Sequence, residues 1–116
     1  MKDIYLLLGS ESALADRALT KIIAELKSES AEITTLFAGD VAVGEISDAL
    51  SPSLFSDRRA LILRDLQDLT EDAKIEITRY LDATDPTLTL ILVHKGGVKG
   101  KALLDQIKKE IGRAHV

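Results

Sequence analysis

Cysteine is absent from the 116 residues, which excludes disulfides, zinc–thiolate sites and thiol chemistry. No apolar run approaches the ~20 residues that a membrane span needs. The start is not that of a signal peptide, because Leu6-Leu7-Leu8 is followed at once by Gly9-Ser10-Glu11-Ser12. There are only two prolines, Pro52 and Pro86, and each marks a turn between periodic segments. These absences lead us to expect a cytoplasmic protein with no membrane contact. What is present is a hydrophobic content of 46%, too high for a disordered chain. The length suits one domain, residues 1–116, and such a domain buries roughly two-thirds of its unfolded surface.

The formal net charge is -4, and the charges are unevenly spread. Lys95, Lys99, Lys101, Lys108, Lys109 and Arg113 fall between positions 95 and 113, opposed only by Asp105 and Glu110. The rest of the chain is acidic, which makes it a poor stand-alone nucleic-acid binder, since that affinity comes mainly from neutralised phosphates. The basic segment is either the solvated face of a helix or a contact for DNA or an acidic partner.

The chain alternates between two periods. Ile4 to Leu8 is continuously apolar and reads as a buried strand. Residues 12–27 follow as an amphipathic helix, with Leu14, Ala18, Ile22 and Leu26 at four-residue spacing and Leu19 and Ile23 alongside. Glu32 to Ala38 is rich in β-branched and aromatic residues and predicts a second strand. Val43 to Leu50 predicts a short helix with Ile46 and Leu50 on one face. Arg59 to Arg64 predicts a third strand. A helix over 71–83 follows, started by Thr70-Glu71-Asp72, with Ala73, Ile77, Tyr80 and Leu81 facing inward. Thr87 to Val93 predicts a fourth strand, and His94 to Gly97 a loop. A last helix spans 99–111, with Leu103, Leu104, Ile107 and Ile111 on its apolar face, and the end looks like the start of another strand. Strands and helices alternating through short connections imply βαβ units, hence a parallel sheet with helices on both faces.

Sheets of this kind often bind phosphates after the first strand. Here Gly9-Ser10-Glu11-Ser12-Ala13-Leu14-Ala15-Asp16 offers one glycine, no lysine and a repelling carboxylate, so it is not a P-loop. The later Gly96-Gly97-Val98-Lys99-Gly100-Lys101-Ala102 is one residue too short, and Ala102 replaces the magnesium-binding hydroxyl. No dinucleotide fingerprint is present. A phospho-receiver domain has this length and alternation, and Asp65 and Lys95 fall where its acceptor and lysine would. The acidic pair after the first strand is missing, however, with only Glu11 nearby, and magnesium needs several oxygen ligands. His94 has no recognisable nucleophile and carboxylate around it and reads as a surface or loop histidine. No catalytic residue, metal site or cofactor is expected.

One stretch resists a purely structural reading. In Ser51-Pro52-Ser53-Leu54-Phe55-Ser56-Asp57-Arg58-Arg59 a proline-fixed turn is followed by two large apolar side chains between polar neighbours. Leu54 and Phe55 either tuck beneath the loop as core or stand ready for a partner.

Three segments, in order and at similar spacing, carry a resemblance: Tyr5-Leu6-Leu7-Leu8-Gly9, Ala49-Leu50-Ser51-Pro52-Ser53-Leu54-Phe55 before Arg59 to Asp65, and Leu92-Val93-His94-Lys95-Gly96-Gly97-Val98-Lys99-Gly100-Lys101-Ala102. With these the chain resembles the N-terminal domain of the delta subunit of bacterial DNA polymerase III, part of the sliding-clamp loader. The resemblance covers nearly the whole chain. It implies an AAA+/RecA-like three-layer sandwich without a P-loop, and a fragment about a third the length of the family's full protein. It implies a non-catalytic subunit of the polymerase III holoenzyme, a nucleotidyltransferase complex, acting in DNA replication. It further implies that Ser53, Leu54 and Phe55 form a plug for the sliding clamp (the beta subunit). Other loader subunits would be met through the missing domains, and DNA only within the assembled loader, where Lys95, Lys99 and Lys101 are candidate contacts. The alternative is a small phosphate- or nucleotide-binding α/β domain such as a phospho-receiver.

Overall fold

The computed structural model describes residues 4–8, 12–51 (of 12–15 the backbone only), 58–95 and three helical positions further on, Asp105, Ile107 and Lys109. Among these residues four strands, β1 (Ile4–Leu8), β2 (Glu32–Phe37), β3 (Arg59–Arg64) and β4 (Leu88–His94), form one parallel sheet in the order β1-β4-β3-β2. Three helices connect them: α1 (Ser12–Ser28), α2 (Glu45–Leu50) and α3 (Glu71–Asp82), with a 3₁₀ turn at Leu66–Asp68 ahead of α3.

Chain direction dictates the layers. From β1 the chain crosses to the far edge at β2, then returns through β3 to β4. Parallel crossovers are right-handed, so reversing the direction of travel puts the helices of the return journey on the opposite face. The packing agrees. Leu19 and Leu26 of α1 pack with Leu7, Ala60, Ile62, Ile91 and Val93 on one side of the sheet. Ile46 and Leu50 of α2 and Ala73, Ile77 and Leu81 of α3 pack with Leu6, Leu61, Leu63, Leu90 and Leu92 on the other. Ile107, fully buried, joins this second core. Neighbouring residues of one strand thus serve opposite cores, as the two-residue period requires. The expected α/β sandwich with helices on both faces is the observed fold.

Element boundaries differ from expectation in instructive places. α2 begins at Glu45 rather than Val43, because Gly44 holds a left-handed conformation (φ 85°) just before it, one that glycine adopts without steric penalty. Val43 is left 83% exposed. The short α2 is held to α3 from outside: the Glu76 carboxylate of α3 accepts from the Ser47 backbone N–H at 2.9 Å. Burial alone would raise the carboxyl pKa of Glu76. Bonds from the Ser47 side chain and backbone and from the Gly44 backbone, with the charge of Arg79, outweigh it and hold the pKa below the ordinary value. At α3 the expected start is observed, with the Thr70 hydroxyl accepting from the Ala73 N–H at 3.2 Å. The 3₁₀ turn was not foreseen. It follows Asp65, whose φ of 55° is left-handed, a region aspartate enters more readily than most residues.

His94 requires a correction. The sequence suggests a surface or loop histidine, yet it is the last residue of β4, in register with Leu8 of β1 and only 1% exposed. β4 runs one residue further than its apolar composition suggests, because β1 continues alongside it.

The burial pattern yields a stability prediction. Ile77→Ala should destabilise the domain by about 2–5 kcal/mol, as cavity-forming core truncations do. Val43→Ser should stay within about 0.5 kcal/mol of wild type. Urea unfolding followed by circular dichroism measures both, and similar effects at the two positions would contradict the core assignment.

Candidate functional site

Ser53, Leu54 and Phe55 lie outside the described residues, as do Lys99, Lys101 and both glycine-rich lookalikes of a phosphate loop. Lys95 is described: it follows β4, is exposed, and its backbone N–H donates to the Gln67 Oε1 at 3.2 Å. The structure therefore does not bring the lysines together. It does describe both ends of the segment that carries Leu54 and Phe55.

The entry is the end of α2. Helix geometry stops at Leu50, and Ser51 is extended (φ -68°, ψ 146°), the conformation a residue before proline prefers. The Ser51 hydroxyl donates to the carbonyl of Ser47 at 2.9 Å and its N–H to the carbonyl of Asp48 at 3.3 Å, which satisfies two of the helix's terminal carbonyls. The exit is Arg58 and the first residue of β3, Arg59. The Arg58 carbonyl accepts from the Glu32 N–H at 3.0 Å, and its guanidinium meets Glu29 at 2.7 Å.

Arg59 ties the two ends together. Its Nη1 donates to the carbonyls of Ala49, at 3.3 Å, and Ser51. Its Nη2 meets Asp85 Oδ2 at 3.3 Å, and its backbone N–H donates to the Thr87 carbonyl at 3.0 Å. Nε finds no acceptor among the described residues, so the guanidinium is placed from its far end. The residue is 7% exposed, and a charge so buried needs partners. Asp85 is itself oriented. Its Oδ1 accepts from the Thr87 N–H at 2.8 Å and the Thr87 hydroxyl at 2.7 Å, and its N–H donates to the Tyr80 hydroxyl at 3.1 Å. Beside this knot is a hollow of about 240 Å³ between Glu32 and Thr34 of β2 and Asp48, Ala49 and Ser51 at the end of α2.

Sequence reasoning missed Arg59 and Asp85. Asp85-Pro86-Thr87 does carry a turn signal, since an aspartate that bonds two residues onward is a common turn former. Nothing local shows that a strand starting 26 residues earlier delivers its charge there.

The same geometry removes one alternative. Receiver-type sheets have the order 2-1-3-4-5, with the first strand between the second and third. Here β4 separates β1 from β3, and β2 is beside β3. Asp65 and Lys95 follow adjacent strands, but in a sheet wound differently from a receiver. Among the described residues no group of three or more His, Asp or Glu side chains could hold a metal ion.

Asp85 gives a pH prediction. Bonds from the Thr87 backbone and hydroxyl, with a smaller share from Arg59, hold its carboxyl below the ordinary aspartate range. Its contribution to stability is thus complete at neutral pH and is lost as pH falls through the unfolded-state value toward the lower folded one. The stability gap between wild type and Asp85→Asn should narrow below about pH 4. A constant gap in chemical denaturation from pH 7 to acid would show that the carboxylate is not held as described.

Comparison with known proteins identifies the fold and its lineage. No curated protein sequence matches. Among solved structures, the chain is similar to the Bacillus subtilis DNA clamp loader delta protein (YqeN), with a TM-score of 0.73 at 15% identity, covering 100% of this chain and 38% of that one. The chain thus spans well under half the length of that relative. The family profile described as DNA polymerase III, delta subunit, matches residues 5–115, nearly the whole chain, and so this chain belongs to the DNA polymerase III delta subunit family.

Proposed function

We propose that this chain is the clamp-gripping domain of a sliding-clamp loader, acting without catalysis of its own. Leu54 and Phe55, with Ser53 before them, enter a hydrophobic pocket of the ring-shaped clamp, the beta subunit of DNA polymerase III. The observation that carries this reading is the family match across residues 5–115, joined to the apolar pair on a segment whose two ends are fixed by Arg59. Residues 1–116 would be a single AAA+-like N-terminal domain. The 38% coverage of the Bacillus subtilis delta protein fits a subunit whose remaining parts meet the other loader proteins. The place of work is the cytoplasm, and DNA is met only within the assembled loader.

The energetics are adequate. Full burial of a leucine or phenylalanine side chain contributes about 1.5–3 kcal/mol. By binding the open clamp better than the closed one, the domain shifts the ring toward opening. Leu54→Ala combined with Phe55→Ala should weaken binding to the cognate clamp by roughly 30-fold or more, the effect of losing ~2 kcal/mol or more at a hot spot. Titration with the purified clamp measures this. Unchanged affinity with an intact fold would sink the assignment.

Lys95, exposed after β4, with Lys99 and Lys101 beyond it, supplies a basic contact for DNA or a neighbouring subunit in the loader. Reversing the charge of Lys99 and Lys101 should lower clamp-loading rates and flatten their salt dependence, since fewer counterions are released. Loading that keeps its rate and salt slope excludes the contact.

A further inference from the structure

We infer that Arg59 is the positioning residue for the clamp-binding pair: it sets where Leu54 and Phe55 are presented. The inference rests on the clamp-gripping reading above. Its physical basis lies wholly among described residues. The segment 52–57 leaves from Ser51 and returns at Arg58. Arg59 fixes the departure by donating to the carbonyls of Ala49 and Ser51. It fixes the return because its own backbone is locked into the sheet, in register with Leu88 of β4 and Glu32 of β2. One side chain thereby sets the separation and direction of both ends.

Three features make this a positioning device and not a surplus contact. First, α2 has six residues, too few to be stable as a helix by itself, so its last turn takes its place from what holds it. Second, the guanidinium is almost wholly buried, so water competes little for its bonds. Its planar fork serves three acceptors at once, which a lysine ammonium on a flexible stem reproduces poorly. Third, Asp85 aims the fork while being aimed itself by Thr87 and Tyr80. The neighbouring pair Arg58–Glu29 is about a third exposed at each side chain, and pairs of that kind contribute little. It does not replace Arg59.

The test is a double-mutant cycle on the full-length subunit with its cognate clamp. Arg59→Lys should weaken clamp binding roughly tenfold, because a segment held less firmly must be ordered on binding. In the background of Leu54→Ala with Phe55→Ala the same substitution should change affinity less than about twofold, since coupled residues fail to add. Wild-type affinity for Arg59→Lys overturns the inference. So does an equal loss in both backgrounds, which would mean that Arg59 acts on the fold at large. If the two alanines alone leave affinity intact, the clamp-gripping reading falls, and the inference falls with it; that outcome is read without touching Arg59. Should Arg59→Lys unfold the domain by circular dichroism, Asp85→Asn provides the second arm. It keeps the guanidinium but removes its aim, and should weaken binding about threefold only when Leu54 and Phe55 are present. No change, or a change independent of the pair, overturns the inference as well.

Discussion

β3 and β4 have no side facing water. Every residue of β4 is buried, as is β3 from Arg59 to Leu63, and both strands carry large aliphatic side chains on each face. A strand of this kind is stable only when helices cover it above and below. That requirement fixes the three layers, and with right-handed crossovers it fixes which helix lies on which face. It also sends all irregular backbone to the two ends of the sheet, where water or side chains can satisfy it. The outer strands carry less of the burden. β2 is paired on one side only and exposes Glu32, Thr34, Thr35 and Phe37, a polar, partly wet edge that suits a boundary.

Against this apolar background Arg59 is conspicuous. A guanidinium opens a strand whose next four residues are Ala60, Leu61, Ile62 and Leu63. Burying it among hydrocarbon without partners would cost several kcal/mol. Its acceptors come instead from two places that strand pairing brings close: the frayed carbonyls of α2 and the turn before β4. The carbonyls gain donors they would otherwise lack at a helix end. The charge thus solves two problems created by the fold, and it does so at the end of the sheet where β2, β3 and β4 begin. In open α/β sheets, phosphate ligands bind beyond the other end, where the strands finish. In this chain that end carries Arg64, Asp65, His94 and Lys95, and the sequence after β1 lacks the residues of a phosphate loop. The segment with Leu54 and Phe55 departs from the opposite end.

Much of this architecture is legible in the sequence, because continuous apolar runs and four-residue spacing report burial directly. β1 and β3 begin and end where composition places them. Ile46, Leu50, Ala73, Ile77 and Leu81 are buried as their spacing requires. What escapes is decided by pairing between distant parts of the chain. His94 looks like a loop residue until β1 runs beside it. Arg59 looks like the polar rim of a turn until Asp85 arrives from the far side of α3. The α2 start escapes for a local reason: only the backbone shows that Gly44 is left-handed. Leu54 and Phe55 were legible only as an anomaly, two apolar side chains where a polar turn is expected. Composition offers no way to choose between core and contact at such a site, and it was the resemblance to a family that favoured contact.

The clamp-gripping reading places a demand on the free domain. Two buried side chains bring about 1.5–3 kcal/mol each. Fixing the backbone of a residue costs about 1–2 kcal/mol, so six residues, 52–57, ordered only on binding would cost roughly 6–12 kcal/mol. On those numbers a slack segment would lose more than its two anchors gain. Binding through Leu54 and Phe55 therefore requires that most of the ordering be met when the domain folds. The chain has means for that: Pro52 has a fixed φ, Ser51 is locked to the end of α2, and Arg59 joins the entry carbonyl to the sheet. None of these touches a partner through the apolar pair itself. Their part is to move a conformational cost from the moment of binding to the moment of folding, where the two-sided burial of β3 and β4 can offset it.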